Sequence, residues 1–113
     1  ELDFEGYYKK MLELQEKYSD KIDIIIDLEQ GLDKRFTKEI MVVTSDYDFD
    51  FIIGSSHIVN GTDPYFPEYF ADRSTYDAMV EYFESVLENL NIFDNFDVYG
   101  HLDYALRYAP DGT

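Results

Sequence analysis

The stretch DFDFIIGSSHIVNG, residues 48–61, decides the fold class of this chain. Phenylalanine and isoleucine side chains over residues 49–53 form a short apolar run that is typical of a β-strand. Gly54 follows this run and is expected to stop the strand, and two serines then lead to His57. We therefore predict a buried strand that carries His57 at its carboxyl end.

Helical and strand patterns alternate on both sides of this stretch. The predicted order is a helix over residues 4–18 capped by Asp3, a strand over 22–28, a helix over 32–44, the strand over 49–53, a long loop over 57–73, a helix over 74–90, a short strand over 96–98 and a possible helix over 102–108. Because such alternation builds parallel sheets with crossover helices, the sequence predicts an α/β fold.

The helix that Ser74 opens has the clearest pattern. Its apolar residues trace one stripe over nearly five turns, and Asp77 lies three residues after the capping serine. We expect this stripe, with Tyr76, Phe83 and Leu87 on it, to be part of the core.

The length and composition indicate one domain. The 113 residues are 45% apolar and 18% aromatic, enough for a single core over residues 1–113. Three strands separated by helices leave two open sheet edges, so we expect the complete fold to need further strands. Since the chain starts at Glu1 and enters a helical pattern at once, we expect it to be an internal portion of a longer protein.

The charge balance excludes two classes of partner. Against 9 basic residues stand 25 acidic ones, a net charge of −16, which repels nucleic acid and anionic lipid surfaces. The chain has no cysteine, so a metal could be held only by histidine or carboxylate side chains. No apolar stretch approaches the roughly 20 residues that span a bilayer, and we predict a cytoplasmic protein without a membrane partner.

Each predicted strand leads to a residue that could bind a metal. Glu29 follows the isoleucine-rich run, His57 follows Gly54, and His101 follows Gly100. The carboxyl ends of parallel strands share one face, and imidazole with carboxylate suits Zn²⁺, Mn²⁺ or Fe. The alternative is that each histidine is a hydrogen-bonded polar group and that Glu29 is a solvated loop residue or a neighbour of a helix N-cap, as isolated residues of these types often are.

Residues 48–61, together with FDVYGHLD at residues 96–103, resemble the histidinol-phosphatase branch of the PHP (polymerase and histidinol phosphatase) family. The resemblance spans essentially the whole chain. It implies a distorted seven-stranded βα barrel, of which about three βα units are present. It also implies a cluster of up to three divalent metal ions, and hydrolysis of the phosphomonoester of L-histidinol phosphate in histidine biosynthesis.

The resemblance also assigns roles to residues. Glu29 corresponds to a metal-bridging carboxylate, and His57 and His101 correspond to metal ligands. Arg107 is implied to bind the substrate phosphate, for which its planar fork of donors is suited. The opening His-x-His and closing Asp-x-His motifs of the family are not in residues 1–113, which hold two histidines in all. We therefore expect this portion to be weakly active or inactive.

Two rival hypotheses stay open at this point. One is a PHP phosphoesterase that acts on a different small-molecule phosphate ester. The other is a non-enzymatic acidic binding module in which Glu29, His57 and His101 have only structural roles. A homo-oligomer is a further expectation, because a second copy could cover the open sheet edges.

Overall fold

A computed structural model describes residues 2–110 of the chain. Its helices are α1 (Phe4–Lys17), α2 (Thr37–Asp46) and α3 (Thr75–Ile92), its strands are β1 (Asp27–Gly31), β2 (Phe51–Ser55) and β3 (Val98–Tyr99), and short 3₁₀ turns cover Lys34–Phe36, Pro67–Tyr69 and Tyr104–Tyr108. Within the described residues the fold is therefore α/β, as predicted. Glu1 and residues 111–113 of the predicted single domain lie outside this range.

The three strands form one parallel sheet in the order β1–β2–β3. Glu29 pairs with Ile53, and Ile53 pairs in turn with Val98, so the strands are aligned across the sheet. Helix α2 connects β1 to β2, and the loop of residues 57–73 with α3 connects β2 to β3. The carboxyl ends of all three strands consequently lie at the same edge of the sheet.

Two aspartates fix where the strands begin to pair. The carboxylate of Asp50 accepts the Ile26 N–H at 2.8 Å, and the Asp50 N–H donates to the Ile26 carbonyl at 2.8 Å. Asp97 makes the same pair of bonds with Ile52, at 2.7 Å and 2.8 Å. Each aspartate therefore satisfies both the N–H and the carbonyl of an isoleucine in the neighbouring segment of chain.

The predicted first strand is displaced. The isoleucine-rich run over residues 22–28 was expected to form it, but β1 starts at Asp27 and continues to Gly31. The reason is non-local, because β2 starts at Phe51 and offers nothing for residues 22–25 to pair with. Ile26 is buried, whereas Ile22 and Ile25 remain exposed.

Gly54 lies inside β2 and does not stop it, contrary to the prediction. A Cβ atom at this position would lie 2.9 Å from the Phe96 ring and 3.0 Å from Leu32. The glycine therefore lets two apolar side chains close over the middle of the sheet, which is a packing role and not a breaking role.

Local helix signals were more reliable. The Asp3 carboxylate accepts the Gly6 N–H at 2.9 Å at the start of α1, and the Ser74 hydroxyl oxygen accepts the Asp77 N–H at 3.1 Å at the start of α3. The helix predicted over residues 32–44 begins instead with the Lys34–Phe36 turn, and the possible helix over 102–108 is the 3₁₀ turn Tyr104–Tyr108.

The core lies against a face of α3 that the sequence analysis did not select. Ala78, Tyr82 and Val86 are the buried apolar residues of this helix, and they pack with residues of the long loop. The expectation that Tyr76, Phe83 and Leu87 are core is wrong for the described residues, since they are 76%, 49% and 59% exposed. Helix α3 has two apolar faces, and the core formed with the long loop and Ala105 covers only one of them. No helix among residues 2–110 combines the length and the apolar character that crossing a membrane requires.

Candidate metal centre

Three side chains of metal-binding type meet at the carboxyl edge of the sheet. Each of Glu29, His57 and His101 offers one donor atom, and these atoms lie within 4.8 Å of one another. His101 Nε2 donates to Glu29 Oε1 at 2.9 Å, and His57 Nε2 lies 3.9 Å from the same oxygen. The convergence predicted from the strand ends is therefore present.

Each strand positions its side chain in a different way. Glu29 is part of β1, whereas His57 and His101 each follow the last residue of their strand by two positions. The Ser55 hydroxyl lies 3.5 Å from His57 Nδ1. The centroids of the two imidazole rings lie 4.8 Å apart, and the rings are tilted relative to each other.

His101 depends on the glycine before it. The Gly100 N–H donates to the Gly54 carbonyl at 2.8 Å, and a Cβ atom on Gly100 would lie 2.8 Å from Ile53 Cγ2. His101 itself has a φ of 30°, in the left-handed region that non-glycine residues rarely adopt. Such backbone strain persists only where surrounding contacts hold it, and it is enriched at functional sites.

The donor set fits a divalent transition metal. Two bonds of about 2.0–2.2 Å around one ion place their donor atoms roughly 3–4 Å apart, and the distances from Glu29 Oε1 to the two imidazoles are 2.9 Å and 3.9 Å. The side chains of His101, His57 and Glu29 are 33%, 36% and 48% exposed, so an ion can reach them. The hydrogen bond from His101 holds the pKa of the Glu29 carboxyl below its usual value, although partial burial opposes this. The carboxyl is therefore in the charged form that binds metals.

The same three residues line a cavity of about 410 Å³. Arg107, predicted to bind phosphate, belongs to its lining too, on the turn that follows β3. All four predicted site residues thus share one cavity, whereas their roles as ligands and phosphate anchor stay predictions.

Two further residues of this cavity with polar groups were missed by the sequence analysis. Asp103 and Tyr104 both line it, and the Tyr104 ring lies 4.8 Å from that of His57. The available signal was position, because both residues follow His101 within one turn of chain. Sequence alone does not show toward which side such a turn presents its side chains.

Comparison with known proteins agrees with this architecture. The chain matches the PHP domain over residues 2–112. It is 36% identical over 110 residues to the histidinol-phosphatase of Lactococcus lactis subsp. lactis, covering 96% of this chain and 41% of that protein. It is 27% identical over 107 residues to the probable histidinol-phosphatase of Clostridium acetobutylicum, covering 95% and 40% respectively.

A solved structure is similar as well. It is the crystal structure of histidinol phosphate phosphatase from Lactococcus lactis subsp. lactis complexed with zinc, L-histidinol and phosphate. The TM-score is 0.85 at 34% identity, over 95% of this chain and 41% of that one. The chain thus spans about two fifths of the length of these relatives. With a match over nearly its whole length, the chain belongs to the PHP domain family.

Proposed function

We propose that this chain is part of a metal-dependent phosphomonoesterase of the histidinol-phosphatase type, which converts L-histidinol phosphate to L-histidinol in histidine biosynthesis. One observation carries the proposal. Glu29, His57 and His101 come from three separate strands or strand ends, and both imidazoles approach the same carboxylate oxygen, Glu29 Oε1. The relatives named above support the substrate, since two of them are histidinol-phosphatases by name and one was solved with zinc, L-histidinol and phosphate.

In this proposal Glu29, His57 and His101 hold a divalent ion, zinc, manganese or iron. A bound ion of this kind acts as a Lewis acid that lowers the pKa of water and neutralises charge on the departing oxygen. The chain's own contribution is position, because the aligned strands fix the three donors before the ion binds. A preformed arrangement of this kind avoids the cost of ordering flexible ligands.

Arg107 is the phosphate anchor in this proposal. Its guanidinium presents two parallel N–H donors that match two phosphate oxygens, and it lines the cavity that contains the three metal-ligand candidates. A phosphomonoester held by Arg107 would lie within the same cavity as the ion. A small phosphomonoester is of a size that a cavity of about 410 Å³ can hold.

We also propose that the three parallel strands are part of a seven-stranded βα barrel. The high structural similarity covers 95% of this chain and 41% of the larger solved protein, which leaves room for the remaining strands. Both outer strands, β1 and β3, have one edge without a partner among residues 2–110. Further strands of the longer protein would pair there, and the barrel would thereby lose its open edges.

Metal binding tests the proposal directly. We expect the purified chain to bind Zn²⁺ or Mn²⁺ in isothermal titration calorimetry, and the variants His57→Asn, His101→Asn and Glu29→Gln each to weaken that affinity by more than about tenfold. Glu84→Gln is the matched control, because it removes an exposed carboxylate of α3 outside the cavity. Equal metal content in the histidine variants and the parent chain would instead favour the non-enzymatic binding module.

A phosphatase assay tests the activity. We expect little or no release of phosphate from L-histidinol phosphate by the 113-residue chain with added Mn²⁺, since two histidines and one glutamate supply only part of the family's ligand set. The longer parent protein should hydrolyse L-histidinol phosphate in preference to other phosphomonoesters. A parent protein that prefers a different ester would refute the substrate assignment and leave the metal site intact.

A further inference from the structure

The two imidazoles of the candidate metal centre have few hydrogen bonds to hold them. Among residues 2–110, the His101 ring hydrogen-bonds only to Glu29, and the His57 ring has a long 3.5 Å contact with Ser55 and lies 3.9 Å from Glu29 Oε1. A metal-binding histidine ordinarily has its second ring nitrogen fixed by a carboxylate or a backbone carbonyl. Another contact must therefore set the orientation of these rings.

Tyr104 provides that contact. Its ring meets the His57 ring edge-on, with centroids 4.8 Å apart and an interplanar angle of 83°. The same ring lies 5.5 Å from the ring of His101 at 44°. One tyrosine thus packs against both imidazoles, edge-on to the His57 ring, a geometry that aromatic pairs prefer, and tilted against the His101 ring.

Tyr104 is itself held by a residue of the loop that follows β2. Its hydroxyl donates to Asp63 Oδ1 at 2.9 Å, and that oxygen also accepts the Tyr65 N–H at 2.9 Å. The Tyr104 backbone N–H donates to the His101 carbonyl at 3.0 Å. The hydrogen bond between Tyr104 and Asp63 therefore joins the loop after β2 to the turn after β3, which are the two segments that carry the histidines.

We propose that Tyr104 is a positioning residue for the metal centre and that Asp63 holds it in place. The proposal rests on the proposed function, since it assumes that His57 and His101 bind a metal. In this arrangement Asp63 fixes the tyrosine, and the tyrosine ring limits the rotation of both imidazoles. Metal affinity then depends on a pair of residues that do not touch the ion.

The test is a Zn²⁺ titration of matched variants. Tyr104→Phe removes the donor and Asp63→Ala removes the acceptor of this hydrogen bond, and we expect each to weaken Zn²⁺ binding about tenfold. Asp63→Ala also removes the acceptor of the Tyr65 N–H, so the double variant should be no weaker than Asp63→Ala alone, because both substitutions remove the one bond to Tyr104. Tyr104→Leu, which also removes the ring, should weaken binding further.

Tyr69→Phe is the control. The Tyr69 hydroxyl donates to the Ala78 carbonyl at 2.8 Å, a buried bond of similar length that does not contact either imidazole. Tyr69→Phe should lower the stability toward urea and leave the Zn²⁺ affinity unchanged. If Tyr69→Phe weakens Zn²⁺ binding as much as Tyr104→Phe does, the effect is general loosening and the proposal is wrong.

A metal-free measurement separates this inference from the proposed function. Nuclear Overhauser effects between the Tyr104 ring and both imidazoles should be present in the parent chain and weaker in Asp63→Ala. A parent chain that shows these effects but binds no Zn²⁺ would refute the metal site, and with it the role of Tyr104. Normal Zn²⁺ binding by Tyr104→Phe and Asp63→Ala would refute the positioning role alone.

Discussion

A single methyl group at Gly100 tests whether sheet packing positions His101. In the variant Gly100→Ala the new Cβ would lie 2.8 Å from Ile53 Cγ2, which is 0.6 Å closer than the 3.4 Å at which ordinary contacts begin. Ile53 is β-branched, so its methyl group cannot rotate away freely. The Gly100 backbone is also fixed, because its N–H donates to the Gly54 carbonyl at 2.8 Å. The residue next to His101 must therefore move by about half an ångström or more.

The expected size of the effect follows from these contacts. Overpacking of this kind costs about 1–3 kcal/mol, and replacing glycine by alanine returns about 0.4–1 kcal/mol by restricting the unfolded chain. We expect a net loss of about 1–2 kcal/mol in the free energy of unfolding, measured by urea titration. Since the movement displaces His101 relative to Glu29, with which it now makes a 2.9 Å hydrogen bond, the Zn²⁺ affinity should fall about tenfold.

Two companion variants make the result decisive. Gly31→Ala is the control, because the nearest atom to its Cβ is His57 Nδ1 at 3.8 Å, an ordinary contact, so stability and affinity should be retained. Adding Ile53→Ala to Gly100→Ala removes the clashing methyl and should restore most of the Zn²⁺ affinity. Unchanged affinity in Gly100→Ala, or no recovery in the double variant, would refute the reasoning.

Three further predictions concern the core, the pH dependence and the phosphate anchor. The Asn89 amide is buried and donates to Ser56 Oγ at 2.7 Å. Asn89→Leu should therefore lower the free energy of unfolding in urea by about 2–3 kcal/mol, and a smaller decrease than that of Tyr69→Phe would contradict this. Burial raises the pKa of Tyr69 and Tyr82 to about 12, above the value of about 10 in an unfolded chain. The stability that these two tyrosines contribute is complete below pH 10 and is lost as the pH rises toward 12. Thermal melts at successive pH values would detect this loss, and a melting temperature that stays constant over this range would contradict it. Arg107→Lys should weaken the binding of inorganic phosphate to the zinc-loaded chain about tenfold, because lysine cannot bind bidentately, and it should leave the Zn²⁺ affinity unchanged. Equal phosphate affinity of the two chains in calorimetry would show that Arg107 is not the phosphate anchor.

The features that the sequence predicted well depend on short stretches of chain. Asp3 and Ser74 cap their helices through bonds that span three residues, so the helix starts were visible in the sequence. The approach of Glu29, His57 and His101 was also predictable, because parallel strands bring their carboxyl ends together whatever their exact limits.

The features that were missed depend on distant partners. The start of β1 is set by where β2 begins, some 24 residues later in the chain, and not by the isoleucine content before Asp27. Helix α3 carries two apolar faces, and only contact with the long loop and the sheet selects the one with Tyr82. Tyr104 faces the imidazoles because Asp63, 41 residues earlier, holds its hydroxyl. Periodicity records composition along one element and contains no information on such partners.

The charge of the cavity indicates an order of binding. Its described lining contains one cationic side chain, Arg107, against the two carboxylates of Glu29 and Asp103, in a chain whose net charge is −16. A phosphomonoester dianion would therefore meet net negative charge in the cavity and around it. A divalent ion held by Glu29, His57 and His101 would make the same lining net positive, since the ion is then the largest local charge. In the proposed function the metal ion would therefore favour anion binding as well as chemistry, and we expect Arg107 to anchor phosphate only when the cation is bound.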